Sequence, residues 1–184
     1  METAVDSALR PFPAPVAGEL ASRRRALLDK AHGRVLDLDD PGDRLRLAAV
    51  VFTPDQPVEG PRYDTIVSTA ALVAWPDLGE VCAALGRLLA DEGDLFLVEP
   101  VNHPGVGGLV AGSLGAALPA CQGRHLSRDV VASLRSVGFT LADLERFGLA
   151  TPVYPLRRWI EARAVIIPHL AAPADPTSDP TSDL

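Results

Sequence analysis

The sequence predicts a three-layer α/β domain with a mostly parallel sheet and an antiparallel strand pair at its C-terminal end. Three observations carry this. Short apolar strand candidates alternate with helical patterns between Gly33 and Phe139. The runs "RVLDL", "DTIVST" and "DLFLVE" have apolar or β-branched cores, as in strands covered on both faces. Two closing strand candidates are joined only by the short link "ATPVYPL". The 184 residues are 47% hydrophobic, enough for one domain with a core.

The elements follow in chain order. Residues 1–16 are proline-rich and expected to be a flexible N-terminus, ahead of a domain over 17–168. "AGELASRRRALLDKAHG" reads as a helix stopped by Gly33, with Arg23, Arg24 and Arg25 on a solvated basic face. "RVLDL" is the first strand. "RLRLAAVVF" reads as a second, closed by the breakers of "TPDQPVEGP". "YDTIVSTAAL" is a third.

"PDLGEVCAALGRLLADEG" is the clearest helix. Pro76 lies near its start, Leu78, Val81, Cys82, Leu85, Leu88 and Leu89 recur at helical spacing, and Gly93 follows its end. "DLFLVEP" is a fourth strand. "VGGLVAGSLGAALPA" reads as a lid or a partner surface. "SRDVVASLRSVGF" is a helix with Ser127 as N-cap and Gly138 as its stop. "TLADLERFGL" and "RRWIEARAVII" are the closing strands, and 169–184 is a disordered acidic tail.

Charge and composition exclude several function classes. A net charge of −7 argues against nucleic acid as a partner, since phosphate binding wants clustered Lys and Arg, and Lys30 is the only lysine. No apolar run is long enough for a membrane span, and no secretory leader is visible. Cys82 and Cys121 lack metal-ligand spacing, so a reduced cytoplasmic protein without a metal site is expected.

From Tyr63 to Val101 the chain resembles the second half of a class I S-adenosylmethionine-dependent methyltransferase domain, above all the small-molecule, type 11 group. The matching residues are Tyr63-Asp64 with Val67-Ser68, then Pro76-Asp77, the turn at Gly93, and Glu99 at a strand end. "GRHLSRDVVASLRSVGF" continues the likeness, which covers roughly Arg62 to Ile167 well and Gly33 to Leu38 weakly. The resemblance implies a Rossmann-like methyltransferase fold and S-adenosylmethionine as cofactor.

The resemblance breaks at the cofactor turn. The family pattern "VLD-x-G-x-G-x-G", laid on Val35-Leu36-Asp37-Leu38, puts its glycines at Asp39, Pro41 and Asp43, with Gly42 between the last two. Glycine serves there because backbone must turn tightly and approach the ligand. Proline removes an amide donor, and the aspartates add charge near the cofactor's carboxylate. The twenty-five residues 39–63 are too few for the helix, acid-ended second strand, further helix and third strand that the resemblance implies. One βαβ unit alone needs about 30 residues. Glu59 is the only replacement ribose acid on offer, and it lies in a Pro/Gly-rich loop.

Two readings follow. One is a methyltransferase-like protein that has lost cofactor binding, a pseudoenzyme acting as a binding or scaffolding subunit. It would self-associate or hold a protein partner at the side of Val50, Val51 and Phe52. The other is an active methyltransferase for a small or lipophilic molecule. For the second, His103 and Glu99, near a strand's C-terminal mouth, are the catalytic candidates, with Asn102 and His125 nearby. Asp37 and Asp64 read as structural strand-end acids, and Trp75 and Trp159 as packing residues. A dinucleotide-binding dehydrogenase fails for the same lack of glycines.

Overall fold

The computed structural model describes residues 11–101, 121, 123–126, 128–153 and 156–166. The candidates His103 and Asn102, the Ser127 cap, the acidic tail, the whole lid segment, and most of the N-terminal segment lie outside them. A five-stranded sheet has the order β1-β2-β3-β5-β4, with β1 (Val35–Asp37), β2 (Tyr63–Thr69), β3 (Leu89–Pro100), β4 (Phe139–Gly148) and β5 (Arg158–Ile166). β1, β2 and β3 are adjacent and parallel, and β5 pairs antiparallel with both β3 and β4. The three expected parallel strands are adjacent, but they form one half of a mixed sheet with β1 at its edge, and the closing antiparallel pair forms the other half.

Four helices accompany the sheet among the described residues: α1 (Ala14–Lys30), α2 (Pro41–Phe52), α3 (Leu78–Leu88) and α4 (Val130–Ser136). The connections β1-α2-β2 and β2-α3-β3 step the same way across the sheet. Right-handed crossovers therefore put α2 and α3 on one face, and α4 packs beside α3. Successive strand side chains alternate in direction, which places α1 on the other face. Arg23 of α1 binds Glu161, whereas Gly86 of α3 abuts Ile166, at the opposite parity of β5. The layers are thus α1, the sheet, and α2-α3-α4.

α1 packs mainly over β2 and β3, and the part of β4 and β5 around Asp143, Glu145 and Arg163 is left as an open groove on its side. There the strands carry Asp143, Glu145, Glu161 and Arg163, which suit a solvated face. Glu145 stands directly opposite Glu161, an unfavourable pair. Arg23 at 2.7 Å and Lys30 at 3.4 Å neutralise Glu161.

The stretch "RLRLAAVVF" is a helix and not a strand. Asp40 caps it by accepting from the Gly42 and Asp43 amides, Pro41 fills the first turn, and Asp43 favours the positive end of the dipole. Leu47, Ala48 and Val51 are its buried residues, at helical spacing. Leu45 and Phe52 point outward, 53% and 67% exposed, and Ala49 is exposed between them. Of the side expected to self-associate, Val51 is buried and Val50 half-buried, leaving Phe52 outermost.

Three boundaries differ from expectation. α1 runs from Ala14 to Lys30, so it begins inside the segment expected to be flexible and buries Val16 there, and Gly33 serves the next turn. α3 ends at Leu88, and its cap is Asp77, whose carboxylate accepts from the Glu80 amide. Leu89 already pairs with Tyr63 in the sheet, so Gly93 is no helix stop. A Cβ there would sit 2.9 Å from the Leu89 side chain. α4 is capped by Asp129, which accepts from the Ala132 amide, and Gly138 at φ +97° ends the turn as expected.

Trp75 and Trp159 are buried packing residues, as their surroundings in sequence imply. Asp64 is structural: it accepts from the Arg34 amide at 2.6 Å and faces Gly33.

Candidate functional site

Ligands of open α/β sheets bind outside the carboxyl ends of the parallel strands. Here that rim comprises the turn after β1, the end of β2 at Thr69–Ala70, and Glu99 near the end of β3. Ala70 has a left-handed φ of +57°, which a non-glycine residue rarely adopts. It is held there by its amide, which donates to the Val98 carbonyl at 2.8 Å. The chain then makes a 3₁₀ turn, Leu72–Ala74.

Glu99 anchors that turn. Its Oε1 accepts from the Ser68 hydroxyl at 2.7 Å and the Leu72 amide at 3.1 Å. The side chain is fully buried, and Oε2 makes no hydrogen bond among the described residues. Burial pushes its carboxyl up to about 7. Glu99 therefore ties β2 to β3 from a buried position. His125 is exposed, and burial of part of its ring lowers its pKa. Its amide donates to the Val73 carbonyl at 2.6 Å, which fastens residues 123–126 over the 3₁₀ turn.

The turn after β1 is where the cofactor motif would lie, and it is closed upon itself. The Asp39 amide donates to Asp37 Oδ1 at 3.1 Å, and the Asp40 amide to the Asp37 carbonyl at 2.9 Å. Pro41 has no N–H. The Gly42 and Asp43 amides both donate to Asp40 Oδ1, at 2.8 and 3.2 Å. Every amide from 39 to 43 is thereby spent on the turn. Asp43 folds back so that Oδ2 accepts from the Asp37 amide at 3.0 Å. Asp37 is a strand-end acid that organises the turn.

A side chain from α1 completes the closure. Arg24 lies against Asp37, with Nε 3.1 Å from Oδ2 and a close Nη2 contact to the same oxygen, and with Nε 3.6 Å from Asp39 Oδ2. Asp39 is half-buried. That burial raises its pKa, partly offset by Arg24. Arg23 pairs with Glu19 and Glu161 and lies 3.5 Å from the Phe147 ring centroid. Of the arginine run, Arg25 is exposed as the sequence suggested, but Arg23 and Arg24 are half-buried and ion-paired, and Arg24 is the site residue that sequence reasoning missed. Its signal was charge complementarity: three arginines on a helix just ahead of four acids at 37, 39, 40 and 43.

The other site expectations separate from this rim. Glu59 is exposed in the loop after α2. Residues 39–62 hold one helix and no strand, so no strand-end acid stands there. Cys82 and Cys121 are free and buried, and burial pushes the Cys82 thiol up to about 12, which leaves it unreactive. Among the described residues no group of His, Cys, Asp and Glu is placed to hold a metal ion, and no helix is long and apolar enough to cross a membrane.

The fold is class I methyltransferase-like. It is shared with a protein from Bacillus halodurans classed as a methyltransferase, at 14% identity over 80% of this chain and 96% of that one, TM-score 0.51. It is also shared with the N-methyltransferase NodS from Bradyrhizobium japonicum, solved with S-adenosyl-L-homocysteine: 13% identity, 83% and 88% coverage, TM-score 0.50. The chain spans 65% of a Listeria monocytogenes protein classed as an S-adenosylmethionine-dependent methyltransferase, at 14% identity over 61% of this chain, TM-score 0.41. No family model and no curated protein matches the chain.

Proposed function

We propose that this methyltransferase-like chain does not bind S-adenosylmethionine and acts as a non-catalytic binding or scaffolding subunit. The observation that carries this is the closed turn after β1. A dinucleotide-type turn binds its ligand through free backbone amides. Here the amides of 39–43 are consumed internally, Pro41 has none, and Arg24 occupies the acidic end of the strand. Titration with S-adenosylmethionine tests the reading directly. If the cofactor binds, the alternative holds: a methyltransferase for a small or lipophilic molecule, with His103 and Glu99 the first residues to replace.

The surface that supports a scaffolding role is the outer stripe of α2. Leu45, Ala49 and Phe52 recur at i, i+4 and i+7, so they form one exposed apolar ridge on a helix whose other side is already buried. Such a ridge suits self-association or a protein partner, with small Ala49 letting an opposing helix come close. Light scattering over a dilution series is expected to show concentration-dependent association that Phe52→Asp and Leu45→Asp each abolish. Both positions face solvent, so the variants should keep the wild-type circular dichroism. A wild type that stays monomeric and captures no partner contradicts the scaffolding role.

A further inference from the structure

At the other end of the sheet, the loop after α2 builds a groove. It has a volume of about 340 Å³ and lies between the C-terminal end of α2, the loop 53–61 and the start of β2. That is the size of a small-molecule site. Its loop wall is fixed by one side chain. Arg87 donates to the Thr53, Pro54 and Gln56 carbonyls at 2.8–3.3 Å and to the Val50 carbonyl at 2.5 Å. The groove is thus preformed, and it exists because 53–62 is a loop and not a βα unit.

Its lining divides by chemistry. Val50, Pro57, Val58 and Leu88 supply apolar surface. The polar groups converge on Tyr63, whose side chain is buried, the residue being 5% exposed. Arg34 lies over the Tyr63 ring at 4.5 Å and is further held by the Pro61 carbonyl at 2.6 Å. Arg46 Nη1 donates to the Tyr63 hydroxyl at 3.3 Å. Its one acidic neighbour, Asp43, is 3.9 Å from Nε, and the side chain is 62% exposed. Arg46 therefore keeps donors for a ligand, and the Tyr63 oxygen, already accepting, is left to donate its own proton. Two adjacent donors, one cationic, beside an apolar wall match a carboxylate with a hydrocarbon body. Glu59 is the acid on the groove's exposed rim, so two arginines outweigh it.

We propose that this groove binds a small apolar carboxylate, its anion held by Arg46 and the Tyr63 hydroxyl and its hydrocarbon against Val50, Val58 and Leu88. This goes beyond the scaffolding reading and does not depend on it: the groove's lining includes none of residues 37–43, and Arg46 meets that turn only at Asp43.

The test is calorimetry of the full chain with sodium octanoate, with octanol and octylammonium as uncharged and cationic counterparts. Octanoate is expected to bind saturably at one site, about tenfold or more tighter than octanol, with no binding of octylammonium. Arg46→Gln should weaken octanoate about tenfold and leave octanol unchanged. Tyr63→Phe keeps the ring beneath Arg34 and should weaken octanoate several-fold. No saturable octanoate binding, equal affinity for octanol, or octanoate binding unchanged in Arg46→Gln would each overturn the proposal. Thermal unfolding of each variant shows that it is folded at the titration temperature.

Discussion

Replacing Gly33 with alanine is expected to cost about 2.5–5 kcal/mol of folding stability. Two effects add. Gly33 sits at φ +61°, in the left-handed region, where a side chain costs about 1–2 kcal/mol. A Cβ would also stand 2.2 Å from Asp64 Oδ2 and 2.7 Å from Asp64 Cβ, well inside contact distance. Relief of that clash requires Asp64 to leave the Arg34 amide, a charge-assisted hydrogen bond worth about 1.5–3 kcal/mol. The pair fastens β1 to β2 at the entry of the sheet. Urea denaturation of a double-mutant cycle checks the account. In an Asp64→Gly background the cost of Gly33→Ala should fall to about 1–2 kcal/mol, the conformational part alone. An equal cost in both backgrounds means that Asp64 is not the obstacle.

Replacing Glu99 with glutamine is expected to remove a pH dependence of stability on the order of 3 kcal/mol. Burial raises the Glu99 carboxyl from 4.5 to about 7 in the folded chain. The folded state therefore binds this proton more tightly than the unfolded state. Its contribution to stability is complete below about pH 4.5 and is lost as pH rises through about 7. Glutamine keeps an acceptor for Ser68 and the Leu72 amide but carries no charge. The stability of wild type relative to Glu99→Gln should thus fall between pH 5 and pH 8, measured by urea denaturation at each pH. Parallel curves would show that Glu99 does not titrate in this range.

Much of the fold was legible because its elements announce themselves locally. β2 and the core of β3 are long apolar runs, and α3 has the strongest helical periodicity in the chain. α2 was hidden by its own surface. Arg44-Leu45-Arg46-Leu47 alternates with a period of two, and Val50-Val51-Phe52 has strand character. The outward Leu45 and Phe52 blur the helical pattern that Leu47, Ala48 and Val51 carry inside. The Asp40-Pro41 cap was the signal that overrides the alternation. The same exposed residues that defeat the periodicity mark the proposed contact surface.

The site divides in the same way. The missing glycines and the shortened segment are written in the sequence. That Arg24 would close the turn is not, because α1 meets β1 only through tertiary packing. Glu99 was legible as a strand-end acid. Its complete burial depends on the 3₁₀ turn over it, which local sequence does not specify.

The most direct test of the central reading is calorimetric titration of the chain with S-adenosylmethionine. The variant Asp39→Gly/Pro41→Gly/Asp43→Gly is titrated beside it. Both are expected to give no saturable heat up to millimolar cofactor. Restored glycines leave Arg24 against Asp37 and supply no acid-ended second strand for the ribose. Micromolar binding by the wild-type chain would contradict the account.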